Sequence, residues 1–214
     1  MNVADVAERW PVASSAELLR SRLITVRADK VRMPDNHIAE RDVVLHPGAV
    51  AVLTLDGADQ ILLIRQYRHP VGHLLWEIPA GLRDVSGEAP WVTAQRELAE
   101  EAGYRARDWR VLADYYSSPG FSTERLRIFL ARDPEPIPAA ERDFVPHDEE
   151  ASIVSDWLPL DQAVRKVFAG ELHNGPAALG IMAAYAARSQ GYDQLRPADA
   201  PEEQRRSRLE EGSS

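Results

Sequence analysis

Three glutamates with the spacing of one helix face are the first residues in the sequence that could do chemistry. Glu97, Glu100 and Glu101 lie in the segment APWVTAQRELAEEAG, in which apolar side chains recur with a helical period. At about 100° per residue, the three carboxylates cover an arc of roughly 100° directly beside an apolar stripe. Glu101 falls at the edge of that stripe, where a carboxylate without a partner is costly. The stripe consists of Trp91, Ala94, Leu98 and Ala102.

The glutamates repel one another, which suggests that they serve a purpose other than solubility. Glu97 and Glu101 are one helical turn apart, a like-charge arrangement that costs about 0.2–0.5 kcal/mol and that Arg96 can offset through Glu100. Three carboxylates at a core edge suit a hard cation with oxygen ligands, such as Mg²⁺ or Mn²⁺. Taken without the rest of the sequence, the same cluster also fits a solvated acidic helix face.

The overall composition is acidic and typical of a globular protein. In 214 residues, 25 Lys and Arg stand against 34 Asp and Glu, which gives a net charge of −9. This charge disfavours binding to nucleic acid or to an anionic membrane, because both need clustered positive charge. The absence of cysteine excludes disulfides, thiolate nucleophiles and Cys-ligated zinc, and it fits a reducing cytoplasm. The N-terminus lacks a signal-peptide pattern, and the apolar stretch 175–187 is shorter than the roughly 20 residues that span a bilayer.

The apolar patterns divide the chain into three parts. Residues 1–47 contain short alternating runs that predict strands with a turn near Pro34. No helix follows to cover these strands, so they pack either on the main domain or on another subunit. Residues 48–190 form the predicted catalytic domain, and residues 191–214 form a polar tail that is expected to be disordered. Beyond Pro197 the tail has no apolar face, which predicts disorder.

The central part mixes β-rich runs with three helical segments, as in an α/β or α+β fold. The first helix precedes Gly103, a good residue just past a helix end. The second helix is expected over residues 161–168, with Asp161 as its N-terminal cap. The third is expected over residues 176–188.

Further residues around the glutamates match the pattern of a known family. They resemble the Nudix box, G-x5-E-x7-R-E-U-x-E-E-x-G-U with U apolar. The matching residues are Gly81, Glu88, Arg96, Glu97, Leu98, Glu100, Glu101, Gly103 and Tyr104. The sequence departs from the pattern because six residues, 82–87, separate Gly81 from Glu88 where the family has five. The resemblance implies a Nudix α/β/α sandwich with a mixed sheet.

Three flanking segments resemble the ADP-ribose pyrophosphatase branch of that family, in particular its actinobacterial type. They are LWEIPAG at 75–81, SSPGFSTE at 117–124 and HDEEASI at 147–153. Pro119 lies fifteen residues beyond Tyr104, a spacing that marks this branch and places Pro119 near the substrate. The resemblance, which covers residues 43–187, implies metal-dependent hydrolysis of the diphosphate bond of ADP-ribose to AMP and ribose 5-phosphate. It further implies a homodimer in which the N-terminal strands are exchanged between subunits.

The metal ligands expected from this resemblance lie in and next to the box. Glu97 and Glu101 are the first candidates, because their i,i+4 spacing points both side chains the same way. Glu100 is the next candidate, and the resemblance implies that the Ala80 carbonyl completes the shell. The expected ion is Mg²⁺, with Mn²⁺ as the alternative.

The remaining box residues and one acidic loop receive other roles. Gly81, Glu88 and Arg96 are expected to hold the loop and the helix together. A base or water-orienting acid is still required within reach of the attacking water. The resemblance to a mobile acidic loop makes Glu149 or Glu150 the candidate, whereas the residues alone would equally suit a solvated turn.

The substrate contacts are assigned from the chemistry of ADP-ribose. Arg68 is the expected clamp for the diphosphate or the terminal ribose, because a guanidinium matches phosphate oxygens in pairs. Arg65 competes for this role, although in a strand it would face the opposite way, and Arg41 is a weaker candidate. Trp10 or Trp76 is expected to stack on adenine, with a core position as the alternative for Trp76.

Two other functions remain open at this point. The first is the same hydrolysis acting on another nucleoside diphosphate sugar, since substrate choice resides in loops rather than in the fold. The second is a non-catalytic module that binds ADP-ribose, which the intact REUxEE motif disfavours. A zinc site at His69, His73 or His147 is not expected, because the sequence has no cysteine and no HExxH pattern.

Overall fold

The computed structural model describes residues 3–142 and 153–202. These residues form eleven strands and three α-helices. The strands are β1 (Val12–Arg20), β2 (Thr25–Arg32), β3 (Ile38–Leu45), β4 (Ala49–Leu55), β5 (Gln60–Arg68), β6 (His73–Glu77), β7 (Ala80–Leu82), β8 (Tyr104–Tyr116), β9 (Arg125–Pro136), β10 (Val154–Pro159) and β11 (Arg196–Pro197). The helices are α1 (Pro90–Ala102), α2 (Leu160–Phe168) and α3 (Gly175–Arg188).

The large sheet is mixed and covered by helices on both faces. Its strand order is β10-β5-β4-β9-β8-β11, with β6 paired to β5 and β7 paired to β4. β4 and β9 run parallel, and β4 is buried along its whole length. Adjacent residues of β4 point to opposite faces, so Val52 packs with α1 while Leu53 packs with α2 and α3. The expected α/β/α sandwich with a mixed sheet is therefore confirmed.

The first three strands form a separate antiparallel sheet in the order β1-β2-β3. The expected turn near Pro34 joins β2 to β3, and Asn36 adopts a left-handed φ of 68° in it. β1 pairs only with β2 among the described strands, and all nine of its residues are exposed. The small sheet meets the large one through Val44, which donates to the Phe121 carbonyl at 2.7 Å and accepts from the Thr123 amide at 2.9 Å.

The helix ends agree with the sequence signals except at α2. α1 begins with Pro90 in its first turn and ends at Gly103, whose φ is 70°. The expectation that Asp161 caps α2 is wrong, because the cap position is Pro159 and Asp161 lies within the first turn. Its carboxylate instead accepts a hydrogen bond from Arg188 at 2.7 Å, so a partner on α3 competes successfully with the helix amides. No helix in the described part of the chain is both long and apolar enough to span a membrane.

The expected disorder of the tail is wrong for residues 191–202, which are ordered against the sheet. β11 pairs antiparallel with β8. Ala198 and Ala200 then pack against the apolar cluster on the α1 side, and the Ala200 carbonyl accepts a hydrogen bond from Arg127 at 2.7 Å. The segment is thus attached by small side chains and backbone carbonyls. It has no stripe of apolar residues, which is the feature by which a sequence pattern predicts a packed segment. Residues 203–214 lie outside the described part.

Candidate active site

Gly81 of β7 lies directly against the Glu97 side chain of helix α1. Glu97 is buried with 8% of its surface exposed, although it is acidic. A Cβ atom on Gly81 would lie 1.9 Å from Glu97 Cδ and 2.0 Å from its Oε1. Only glycine at this position leaves room for the carboxylate, which is therefore held directly against the backbone of β7.

A second glutamate of α1 is bound to the neighbouring residue of β7. The Ala80 amide donates a hydrogen bond to Glu101 Oε2 at 2.8 Å. Ala80 lies opposite Ala51 in the β4–β7 pair, while the hydrogen bonds from Val52 to Pro79 and from Arg83 to Gly48 flank it. Because hydrogen-bonded and non-hydrogen-bonded pairs alternate in an antiparallel ladder, the polar groups of Ala80 turn away from β4 and toward α1.

Arg96 neutralises the acidic face of the helix. Its Nη1 lies 2.8 Å from Glu97 Oε1 and 2.9 Å from Glu100 Oε2. A third contact, at 3.8 Å, reaches Glu88, which also accepts a hydrogen bond from the Thr93 hydroxyl at 2.7 Å. Burial alone would lower the pKa of Arg96, but the surrounding negative charges outweigh burial and raise that pKa above its usual value. Arg96 and Glu88 thus join the loop to the helix.

The donor set at this site suits a hard divalent cation. Glu97 and Glu101 present carboxylate oxygens beside the backbone of β7, and Glu100 lies on the same helix face. Within residues 3–142 and 153–202, no three Asp, Glu or His side chains form a ready metal-binding group. The arrangement shows why: Glu100 turns to Arg96, and Arg96 also contacts Glu97. The predicted convergence of all three glutamates is therefore partial, and a cation would compete with Arg96 for two of them.

An ion pair with one buried partner lies on the same face of the sheet, on β5 and β6. Arg68 donates from Nε to Glu77 Oε1 at 3.0 Å and from Nη2 to Glu77 Oε2 at 2.6 Å. Glu77 is 1% exposed, whereas the Arg68 side chain is 42% exposed. The paired carboxylate fixes one edge of the guanidinium. Glu77 is not among the site residues predicted from the sequence, in which its only signal is a charge after the apolar run LLW.

The loop that contains Pro119 lies at the same end of the large sheet. This loop, residues 117–124, joins β8 to β9, and Arg125 at the start of β9 adjoins Gly48 at the start of β4. Thr123 accepts from the His46 amide at 3.0 Å, which joins the loop to the segment before β4. Pro119 is exposed in this loop. The structure thus brings the loop to the end of β4 that pairs with β7.

Comparison with known proteins assigns the family. A family model described as the NUDIX domain matches residues 45–177, more than half of the chain. The chain belongs to the Nudix family. A second family model, described as a nucleoside diphosphate sugar hydrolase N-terminal domain, matches residues 10–44, which contain the small sheet. Helix α1 is thus the Nudix helix, and Nudix enzymes generally need divalent metal ions.

Two similar proteins carry the name ADP-ribose pyrophosphatase. The one from Mycobacterium tuberculosis is 43% identical over 186 residues, which span 87% of this chain and 87% of that protein. The one from Bacillus subtilis is 32% identical over 165 residues, 77% of this chain and 86% of that protein. A crystal structure of an ADP compounds hydrolase matches the Nudix fold with a TM-score of 0.72 at 20% identity, covering 88% of this chain and 99% of that one.

Several predicted contacts lie away from the Nudix helix. Trp76 packs against the cluster that contains α2 and α3, on the opposite face of the sheet, and Arg65 lies over its ring at 5.3 Å. These positions correspond to the core alternative for Trp76 and to the expected opposite orientation of Arg65. Trp10 lies two residues before the start of β1, and Arg41 lies on β3, where its guanidinium donates to the Glu40 carbonyl.

The candidate bases cannot be placed in this site. Glu149 and Glu150 lie outside the described residues, as does His147. The described part of the acidic segment resumes at Ile153, and β10 then pairs with β5 from Val154 onward. The acid-base role therefore stays a prediction from the sequence.

Proposed function

We propose that this Nudix protein hydrolyses the diphosphate bond of ADP-ribose to AMP and ribose 5-phosphate. The observation that carries the proposal is the buried Glu97 carboxylate held against Gly81, beside Glu101 on Ala80. These carboxylate oxygens support a site for a diphosphate-bound cation. The substrate is supported by the extensive identity to proteins named ADP-ribose pyrophosphatase.

The metal ligands we propose are Glu97 and Glu101, followed by Glu100 and the Ala80 carbonyl, with Mg²⁺ as the ion. A bound divalent cation neutralises phosphate oxygens and lowers the pKa of bound water. The protein itself carries a net charge of −9, which repels an anionic substrate. The cation is therefore required for binding as well as for chemistry, and Mn²⁺ has the same ligand preference.

Arg68 is our proposed contact for the diphosphate or the terminal ribose. Its hydrogen bonds to Glu77, two from Nε and one from Nη2, hold the guanidinium in one plane while part of the side chain stays exposed. A guanidinium oriented in this way loses little entropy when it binds phosphate oxygens. Glu77 is then the residue that orients Arg68, and Pro119, in the loop between β8 and β9, is a further proposed substrate contact.

The general base we propose is Glu149 or Glu150. The acidic stretch precedes β10, whose strand partner β5 also carries Arg68. Replacing each glutamate by Gln tests the assignment. We expect one of the two variants to lose about 100-fold in kcat or more, the usual contribution of general base catalysis, and the other to stay near wild type. Near-wild-type rates in both would remove this loop from the mechanism.

A homodimer with exchanged N-terminal strands is part of the proposal. The supporting observation is the exposed β1, on which Leu18 and Leu19 are 61% and 53% exposed. Apolar side chains on a strand without a second neighbour suit burial against another subunit. We expect sedimentation to give a dimer, and the charged Leu18→Glu variant to shift it toward monomer. A monomeric wild type would contradict the dimer and leave the hydrolysis unaffected.

A cytoplasmic location completes the proposal and agrees with the absence of cysteine.

Product analysis tests the reaction. The purified protein is incubated with Mg²⁺ and ADP-ribose, other nucleoside diphosphate sugars, NADH, diadenosine polyphosphates or dNTPs. We expect AMP and ribose 5-phosphate from ADP-ribose at the highest kcat/KM. Glu101→Gln should abolish turnover with the fold intact. The control is Glu171→Gln, which removes a surface partner of Lys166 on α2.

The outcome distinguishes our proposal from its alternatives. A second candidate is hydrolysis of another nucleotide sugar, which the match of residues 10–44 to a nucleoside diphosphate sugar hydrolase N-terminal domain suits as well as it suits ADP-ribose. A clear preference for such a compound would replace ADP-ribose and keep the site. Binding of ADP-ribose without hydrolysis of any compound, with either Mg²⁺ or Mn²⁺, would instead indicate a binding module.

A further inference from the structure

Residues 196–202 reach the Nudix loop from the far end of the chain. Glu202 Oε2 accepts a hydrogen bond from Arg83 Nη1 at 2.7 Å. Arg83 lies two residues after Gly81, in the loop that is one residue longer than the family pattern. The two side chains are only 23% and 17% exposed, so the pair is largely shielded from water. Shielded pairs are less weakened by salt than surface pairs, and removing one partner leaves the other uncompensated.

Arg127 fixes the other side of this segment to the sheet. Its side chain is 2% exposed and donates to the Asp114 carboxylate at 2.7 Å and 2.9 Å. It also donates to the Ala200 carbonyl, and its Nε lies 3.6 Å from Glu202 Oε1. Partial burial would raise the pKa of Asp114, but hydrogen bonds from Arg127 and then Arg196 lower that pKa below its usual value. The anchor of residues 196–202 is therefore an ion pair in which both Arg127 and Asp114 are charged.

The position of this anchor relates it to the metal site. Gly81 pairs with Val50 on one side of β4, and Arg127 pairs with Val50 on the other. Arg127 precedes Phe129 by two residues, so both side chains point to the face of the sheet that carries the Nudix helix. Glu202 thus contacts Arg127, which lies on the β9 side of β4, and Arg83, which follows β7 on the other side of β4.

Arg83 holds the start of the loop through its side chain as well as through its backbone. The Arg83 amide donates to the Gly48 carbonyl at 3.0 Å, and β7 ends one residue earlier, at Leu82. From there to Glu88 the chain contains Ser86 and Gly87 and has no strand partner. The Arg83–Glu202 pair fixes the first residue beyond β7 from outside the loop.

We propose that Glu202 is a positioning residue of the metal site, acting through Arg83. By holding Arg83 it fixes the path of β7, and hence the place of Ala80 and Gly81 against the two glutamates of the Nudix helix. This inference deepens the proposed function and rests on its metal-dependent hydrolysis. Glu202 lies 119 positions from its partner Arg83 and outside residues 45–177, which the NUDIX domain model matches.

Metal binding in the absence of substrate tests this role. Binding of Mn²⁺ is followed by the electron paramagnetic resonance of free Mn²⁺ in wild type, Glu202→Gln, Arg83→Gln and the double variant. We expect each single variant to weaken Mn²⁺ binding by about tenfold, the usual effect of losing a group that orients ligands. The double variant should bind no more weakly than either single variant, because both substitutions break the same pair.

Amide hydrogen exchange of the metal-free proteins provides a second measurement. We expect exchange of residues 80–88 to accelerate in Glu202→Gln and Arg83→Gln, and to stay unchanged in the control Glu171→Gln. A merely structural segment would lower the melting temperature and leave the Mn²⁺ affinity of the folded protein unchanged.

The possible failures are distinguishable. Wild-type Mn²⁺ affinity and loop exchange in Glu202→Gln would overturn the positioning role and leave the proposed function standing. Additive losses in the double variant would overturn the pathway through Arg83. A wild-type protein that binds no Mn²⁺ would overturn the proposed metal site, and the positioning role with it.

Discussion

Replacing Gly81 by alanine is the most direct perturbation of the Nudix site. The added Cβ would stand 1.9 Å from Glu97 Cδ and 2.4 Å from its Cγ. Carbon atoms prefer separations of about 3.5 Å or more, so the carboxylate must retreat by about 1.5 Å. Because the Cγ atom is also too close, rotation of the carboxylate alone does not relieve the overlap. The whole Glu97 side chain has to change its rotamer.

This displacement should damage catalysis far more than folding. A flexible side chain can move away at a cost of about 1–3 kcal/mol in the free energy of unfolding. A shift of about 1 Å in a catalytic group lowers the rate by about 100-fold, and we expect at least that loss in kcat. AMP release at saturating Mg²⁺ measures kcat, and urea unfolding measures stability.

The control and the background variant make this prediction specific. Gly57→Ala is the matched control, because a Cβ there meets no atom within 4 Å. Since Gly81 is argued to act through Glu97, adding Gly81→Ala to Glu97→Gln should cost little further activity. A Gly81→Ala enzyme with wild-type kcat would refute the reasoning, as would a large additional loss in the Glu97→Gln background.

Three other predictions concern separate parts of the molecule. Glu77→Gln removes one acceptor from Arg68 and should raise the KM for ADP-ribose by about tenfold with little change in kcat; an unchanged KM would exclude Glu77 from substrate binding. Burial, followed by the charge of Glu124, raises the pKa of Tyr115 to about 12, above the value of about 10 in the unfolded chain. Stability is then lost as pH rises between these values, and urea midpoints should show a smaller loss in Tyr115→Phe. Asn174 caps α3 by accepting from the Ala177 amide at 2.9 Å, so Asn174→Ala should lower the unfolding free energy by about 1 kcal/mol while Asn174→Asp retains most of it.

Local signals in the sequence were sufficient for the elements around the site. Pro90 and Gly103 predict the ends of the Nudix helix, and both lie where the helix begins and ends. The period of its apolar stripe placed Ala94 and Leu98 in the core, where both are fully buried. Such signals work because the helix ends and its buried stripe are determined by residues within a few positions of each other.

Contacts between distant residues explain the predictions that were wrong. Asp161 has the residue type of a helix cap, yet Arg188, 27 positions away, takes its carboxylate. The segment around Ala200 looks polar and disordered, yet its carbonyl meets the buried Arg127, 73 positions earlier. Neither partner is visible in a window of a few residues. The pairing of Arg68 with Glu77 was not predicted for a related reason. The pattern of a strand shows which face a side chain is on, but it does not show which charged residue of the neighbouring strand lies beside it.

Arg96 resolves the conflict between the buried acids of the site and the stability of the protein. Burying Glu97 near a second carboxylate would be costly in the absence of a cation, and Arg96 supplies positive charge to Glu97 and Glu100 from the same helix. The guanidinium is partly exposed and has several donors, so it can give up one carboxylate while keeping others. Glu101 instead accepts a hydrogen bond from the Ala80 amide, which is a neutral donor. A cation that binds this carboxylate therefore does not have to displace a positively charged group from that hydrogen bond. The site can therefore remain folded before the metal binds and still offer carboxylate oxygens when it does.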